Sequence, residues 1–496
     1  MSGDFIKEKA APLLILAVLA IVAYLPALTQ PFISDDYSGI RHSLRYGPIS
    51  GWKDLANDPV ERPRATTFVL SYAVYRLFGM RPAAFYSANI LLHILNSWLL
   101  FAAGRWRAIG YKLSFWGAAF FAVYEGHSEA IMWFSACNEL LMFLFGLLSF
   151  VFWLSFLEGE SARLKWMWLA LSFLCFIPSL LSKESSVIFV ALFALPLLFP
   201  KPRLRQALYL LPHALICVPY VISIFTAGSK SLRFHNQSFV LSAPFWITWP
   251  ASYGRMLWFW GLTGMVSLFV WSRSDRKERI ADSSIADCGL RIADSRISND
   301  RMAPAEGENR NQKSPGENQS AIRNPQSAIS GPQPAIRNPQ SAILVSVLWM
   351  GIGFIPYMFV DYMHRIPSRQ TYLASAGLGW LMGAAIIAMR ERYAKNYKWG
   401  PPVVLVVLLV ILAHNVAYLW TRKHWQYLER AEPTERLLEL ARSVNGPIYV
   451  KCFPSNMGRS HAEDALVMVL NKPADTLIWN EEDARKRPPA ATFCYE

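Results

Sequence analysis

Three features of the sequence predict an α-helical protein that crosses a membrane many times. Hydrophobic residues make up 53% of the 496-residue chain and come in long, nearly uncharged blocks, such as LLILAVLAIVAYLPAL after Pro12 and VVLVVLLVILAHNVAYLW after Pro402. A helix needs about 20 residues, at about 1.5 Å rise each, to cross the hydrocarbon of a bilayer, and these blocks supply them. The basic residues behind the net charge of +14 cluster between the blocks: Lys7 and Lys9, Arg105 to Lys112, Arg163 and Lys165, Lys201 to Arg205, RSDRKER, and Arg390 to Lys395. That clustering is the signature of cytoplasmic loops rather than of a nucleic-acid footprint. The mean hydropathy is only +0.22 because two long polar stretches dilute the blocks. A soluble enzyme, a nucleic-acid-binding protein and a secreted disulfide scaffold are excluded.

With the amino terminus inside, about eleven spans fit, at 10–29, 84–104, 112–126, 130–156, 166–182, 185–200, 206–226, 252–272, 343–360, 372–389 and 401–420. Every basic cluster named above then lies in the cytoplasm. The first span is expected to be retained, because TQPFISDDYSG follows it rather than a small-residue cleavage site. Segment 66–79 is apolar but short, which predicts a helix at the outer surface within a first outer loop at 30–83. Residues 1–272 thus form a membrane-embedded module. Segment 273–342 repeats RIADS and AIRNPQSAI and lacks aromatic residues, which predicts a disordered cytoplasmic insert. Residues 343–420 hold the remaining spans. In 421–496, EPTERLLELARSV and HAEDALVMVLN read as helices and PIYVKCF and DTLIW as strands, a small extracytoplasmic α/β appendage. Cys452 and Cys494 share that appendage, where an oxidising compartment permits a disulfide.

The conspicuous polar residues gather on the outer side. FISDDYSGI places Asp35 and Asp36 next to each other after the first span, and two such carboxylates push one of the pair toward a raised pKa suited to taking a proton. His93 and Asn96 lie on one span at helical spacing, where polar groups face the bundle interior or a wet cavity. YEGHSEAIMWFSACNELL carries Glu125, His127, Glu129, Asn138 and Glu139. His127 and Glu129 are metal-ligand types, but they stand in no recognised ligand spacing, so no divalent metal or other cofactor is indicated. SLLSKESSVIF sets Lys183 and Glu184 at a boundary between spans. In DYMHRIPSRQTYLASAGLGW, His364, Arg365 and Arg369 lie close together, and a basic cluster outside the membrane calls for an anion. A carboxylate pair and a cation cluster on one face suit glycosyl transfer from a lipid-linked phosphate sugar. The carboxylate takes the proton of an acceptor hydroxyl and the cations receive the leaving phosphate.

The set FISDDYSGI, RPRATTF, LFGMRPAAFYSANILLHILN, SEAIMWFSACNELL, LLSKESSV and HRIPSRQTYLASAGL runs in order over most of residues 1–390. Together these segments resemble the multi-span GT-C glycosyltransferases. They are similar in detail to protein O-mannosyltransferases, above all the transmembrane kind that carries TPR repeats, and to their bacterial relatives. The resemblance implies an inverting transferase that uses a polyprenyl-phosphate monosaccharide on the outer face of a bacterial inner membrane, with a protein or glycan as acceptor. It implies that one of Asp35 and Asp36 is the base, and that Glu129, Lys183, Glu184, Arg365 and Arg369 line the substrate sites. Two departures stand out: the tail shows no TPR periodicity, and Asn138 stands where the family more often has Arg. An O-antigen-ligase-like enzyme, a lipid-linked sugar flippase and an inactive relative are the alternatives. The ligase lacks the early acidic pair, and a transporter should show two matching halves, which this chain does not.

Overall fold

The computed structural model describes residues 3–159, 161–227, 244–269, 339–358, 368–454 and 458–495. Most of the 273–342 insert, together with His364 and Arg365, therefore lies outside the described residues.

The described residues are helical almost throughout. Long apolar blocks bury their backbone polar groups only by forming intrahelical hydrogen bonds, so each becomes a helix. In order these are α1 (Gly3–Tyr24), α2 (Asp36–Tyr46), α3 (Trp52–Asn57), α4 (Ala65–Phe78), α5 (Pro82–Ala102), α6 (Tyr111–Val123), α7 (Ser128–Ile131), α8 (Cys137–Glu158), α9 (Ala162–Leu180), α10 (Phe189–Leu198) and α11 (Leu211–Ala227). They continue with α12 (Phe245–Met256), α13 (Pro339–Phe354), α14 (Ser375–Asn396), α15 (Gly400–Tyr418), α16 (His424–Ser443), α17 (Gly458–Leu470) and α18 (Glu481–Lys486). Among the described residues six stretches are long and apolar enough to cross a membrane: Ala10–Thr29, Pro82–Arg105, Phe134–Glu158, Ala162–Leu180, Leu204–Thr226 and Gly400–Ser443. Others in the expected set of eleven are shorter, such as Glu184–Leu198 and Ser341–Tyr357. The expected spans 112–126 and 130–156 are separated by a wider break than their spacing suggests. Between α6 and α8 the chain makes the short turns Glu125–His127, Ser128–Ile131 and Phe134–Ala136. Irregular backbone at such a place is tolerated where protein groups satisfy it, and this is where Glu125, His127 and Glu129 sit.

Helix α14 crosses α6 and α13 at the centre of the bundle. The crossing with α6 depends on glycine. A Cβ on Gly379 would stand 2.8 Å from the Gly117 carbonyl oxygen, and one on Gly383 2.5 Å from that of Leu113. The Gly379–Gly383 spacing is the small-xxx-small pattern that lets two membrane helices approach closely. Around this crossing, Trp349, Trp380, Phe121, Phe143, Phe150 and Tyr372 are almost fully buried.

The carboxyl-terminal part forms a three-stranded parallel sheet, β1 (Ile448–Cys452), β2 (Leu477–Ile478) and β3 (Ala491–Cys494), in the order β2-β1-β3. The two helices and two strands read in the tail are present, joined by the further strand β3 and by α18. Cys452 and Cys494 form a disulfide that ties β1 to β3. Helix α17 packs on α2, so this unit sits on the segment that follows the first span.

Candidate functional site

The acidic pair marks the start of α2. Helix α1 runs into a short 3₁₀ turn (Leu25–Thr29), and Ser34 takes a left-handed conformation, φ 45°, that turns the chain into α2. Asp36 closes this turn on itself: its amide donates to the Ile33 carbonyl at 3.0 Å, and the Ile33 amide donates to its Oδ2 at 2.9 Å. Its Oδ1 accepts from the Ser135 amide at 2.7 Å, which binds α2 to the turn before α8. Asp36 is completely buried. Burial, with the charge of Asp35 added, pushes its carboxyl up to about 7 in spite of those amide donors. Asp35 is half-buried, and its Oδ1 accepts from Trp133 Nε1 at 2.9 Å. Of the two carboxylates, only Asp35 keeps surface that another molecule can touch.

Trp133 connects this pair to a group of cations. The Arg369 guanidinium lies 4.8 Å from the centre of its ring and that of Arg430, from α16, 4.6 Å. Guanidinium groups are drawn to the negative face of an indole. Arg369 also forms an ion pair with Glu129, whose Oε2 accepts from the Ser368 hydroxyl at 3.0 Å and from the Arg369 amide at 3.2 Å. Burial works to raise the Glu129 carboxyl. The Arg369 charge, the Arg369 amide, the Ser368 hydroxyl and Arg430 outweigh it and hold the group below the ordinary range. Beside this group lies a cavity of about 650 Å³, whose wall includes Glu125, Arg255, Trp260, Ser368 and Lys423. Trp260 Nε1 donates to the two Glu125 oxygens at 3.1 and 3.3 Å, and Asn415 Oδ1 accepts from the Glu125 amide at 3.0 Å. The wall thus offers aromatic surface, one carboxylate and two basic side chains. Ser368 belongs both to that wall and to the Glu129 cluster.

The other residues singled out in the sequence are placed elsewhere. Lys183 is buried and forms an ion pair with buried Glu139, whose Oε2 accepts from the Tyr357 hydroxyl at 3.1 Å. That hydroxyl also lies 3.0 Å from Ser185 Oγ. Glu184, half-buried, opens the turn Glu184–Ile188. His93 is completely buried; its Nδ1 lies 2.7 Å from the Tyr372 hydroxyl and its Nε2 3.1 Å from the Ala122 carbonyl, so both ring nitrogens meet protein groups. A histidine so placed holds helices together and has no nitrogen left for a substrate. Residues that the sequence did not single out, Trp133, Arg430, Lys423 and Arg255, contribute most of the connected site, together with Glu125 from the polar turn that it did. Among the described residues no group of three or more His, Cys, Asp or Glu is arranged to hold a metal ion.

The molecule is therefore a multi-span helical membrane protein in which one indole joins the acidic pair to Arg369 and Arg430, beside a cavity whose wall carries Arg255 and Lys423. No protein-family model matches the chain. It is similar to protein O-mannosyl-transferase Tmtc1 of Drosophila melanogaster, at 28% identity over 201 residues, 38% of this chain and 23% of that protein. The chain thus spans less than a quarter of the length of this curated relative. Superposition on the crystal structure of ArnT from Cupriavidus metallidurans bound to undecaprenyl phosphate gives a TM-score of 0.43 at 14% identity, covering 98% of this chain and 90% of that one. The Archaeoglobus fulgidus oligosaccharyltransferase tethered with an acceptor peptide gives 0.48 at 10% identity, covering 94% and 64%.

Proposed function

We propose that the protein is a GT-C-type glycosyltransferase of the membrane, moving a monosaccharide from a polyprenyl-phosphate donor to a hydroxyl acceptor on the outer face. The observation that carries this reading is the bridge at Trp133: its indole N–H holds the accessible carboxylate Asp35, and its ring lies against Arg369 and Arg430. One residue thereby ties a proton acceptor to groups suited to a phosphate. The similarity to an O-mannosyl-transferase supports the same reading.

In this mechanism the acceptor oxygen attacks the anomeric carbon as Asp35 takes its proton, and the bond from that carbon to the phosphate oxygen breaks. The electron pair leaves with the phosphate, whose charge Arg369, Arg255 and Lys423 neutralise. Attack opposite the leaving group inverts the anomeric centre. Asp36 anchors the turn that presents Asp35, and its neutral form spares the pair a second adjacent charge. Placement on the outer face is supported by the Cys452–Cys494 disulfide in the unit that packs on α2, because disulfides persist in oxidising compartments.

The experiment is sugar release from a panel of radiolabelled polyprenyl-phosphate monosaccharides by the full chain in lipid nanodiscs. Turnover that Asp35→Asn abolishes while donor binding survives is the expected outcome. Equal turnover in wild type and Asp35→Asn removes Asp35 from the chemistry, and no turnover on any donor removes the transferase reading.

A further inference from the structure

The face of α2 next to the acidic pair is held by the carboxyl-terminal part of the chain. The Tyr37 hydroxyl donates to Glu435 Oε1 at 3.1 Å, Ser38 Oγ lies 2.8 Å from His461 Nδ1, and Arg41 forms an ion pair with Asp464, itself mostly buried. On the other side of the pair, Gln30 Nε2 lies 3.1 Å from His424 Nδ1. Arg430 comes from the same part of the chain to lie on Trp133. Contacts at 30, 37, 38 and 41, and at the indole that holds Asp35, bracket the pair on both sides.

A tail that served only to close the bundle would be satisfied by apolar packing. Here, polar side chains from two separate tail helices, α16 and α17, meet side chains within six residues of Asp35 and Asp36. We propose that the carboxyl-terminal unit is a working part of the transfer site, positioning Asp35 through Arg430 on Trp133 and fixing α2 through the Arg41–Asp464 pair. The inference deepens the transferase reading and rests on it for its kinetic consequence. Arg430 and Asp464 are positioning residues: they act through Trp133 and Arg41. Arg430 limits how far the indole, and with it the Asp35 carboxylate, can swing. Asp464 limits how far α2 can lift from α17.

The test uses the full chain in nanodiscs with radiolabelled undecaprenyl-phosphate mannose as probe, read as kcat and KM, beside deuterium exchange at the amides of Asp36–Tyr46. Arg430→Ala and Asp464→Asn are each expected to lower kcat by about tenfold to a hundredfold, the cost of displacing a catalytic group by about an ångström, with KM within about twofold. Asp464→Asn is also expected to speed exchange at Asp36–Tyr46. The exchanged pair Arg41→Asp with Asp464→Arg should restore slow exchange and most of kcat, and Arg430→Lys should recover less than half of the loss, because an ammonium lacks the planar stack. Arg485→Ala removes an exposed pair with Glu481 on the distant α18 and should change neither readout. Unchanged kcat in both single variants overturns the proposal. If wild type does not turn over the probe, exchange still decides: unaltered exchange at Asp36–Tyr46 in Asp464→Asn overturns the clamp, and faster exchange there upholds it.

Discussion

Two clusters of charge in this molecule are built in opposite ways. At Lys183 and Glu139 the charges close on each other: both side chains are buried, Tyr357 and Ser185 complete the polar contacts, and no cavity among those described is lined by either residue. At Asp35 and Asp36 the charges stay open. One carboxylate is buried to hold a turn, the other keeps accessible surface, and Trp133 ties it to Arg369 and Arg430. A closed ion pair holds a structure together, whereas a carboxylate with accessible surface and a fixed position can meet a substrate. The kind of residue is the same in both places; what separates them is that Glu139 is sealed against Lys183 whereas Asp35 keeps accessible surface.

The largest expected effect tests the open cluster. Asp35→Asn keeps the volume and removes the proton acceptor, so turnover should fall by about a hundredfold to ten-thousandfold, the range for general-base catalysis, with donor KM retained. A rise in KM alone would make Asp35 a binding group. The next effect tests the closed cluster, and it should appear in stability. Lys183→Met leaves Glu139 buried without its counter-charge, which costs about 3–5 kcal/mol and should lower the melting temperature in detergent. The double variant Lys183→Met with Glu139→Gln should recover most of that stability and keep wild-type turnover. A stable double variant without turnover would move Lys183 into the transfer site. A smaller effect probes the bridge between carboxylate and cations. Arg369→Lys keeps the charge but loses the planar stack on Trp133, and should reduce kcat/KM by about tenfold, worth about 1.4 kcal/mol.

How much of this could be read from the sequence follows from the same distinction. The helices were legible because long apolar blocks permit little else, and the alternation in the tail was legible because periods of two and 3.6 are local. The strand Ala491–Cys494 was not, since it is short and its partner strand lies far earlier in the chain. The acidic pair was visible as DD after the first span, but which carboxylate is buried is decided by the Ser135 amide on another segment. The resemblance put Lys183 at a substrate site, and its pairing with Glu139, 44 residues away, cannot be matched by spacing. His93 could face the bundle interior or a wet cavity, and spacing cannot choose between them, its partner Tyr372 lying 279 residues on. Arg430 gave no signal at all: on an amphipathic, charge-rich helix it reads as a solvated residue, and only the fold lays it on Trp133.

The smallest expected effect separates the two carboxylates of the pair by pH. The Asp36 carboxyl lies at about 7 in the fold against 3.8 in the unfolded chain, with burial as the main cause. The folded protein thus prefers the neutral form. Between about pH 4 and pH 7 the unfolded chain has released this proton while the folded one still holds it, so stability from this group is complete below 3.8 and falls as the pH rises through about 7. Asp36→Asn abolishes that titration. It loses one good contact, because an amide nitrogen must face either the Ile33 or the Ser135 N–H that now meets a carboxylate oxygen. The variant should therefore melt below wild type at pH 4, and the gap should close by a few degrees as the pH is raised to 8. A gap that stays constant across that range would mean that Asp36 is ionised throughout in the folded protein. The adjacent charges would then both be present at the site, and the division of labour between Asp36 as anchor and Asp35 as base would lose its electrostatic ground.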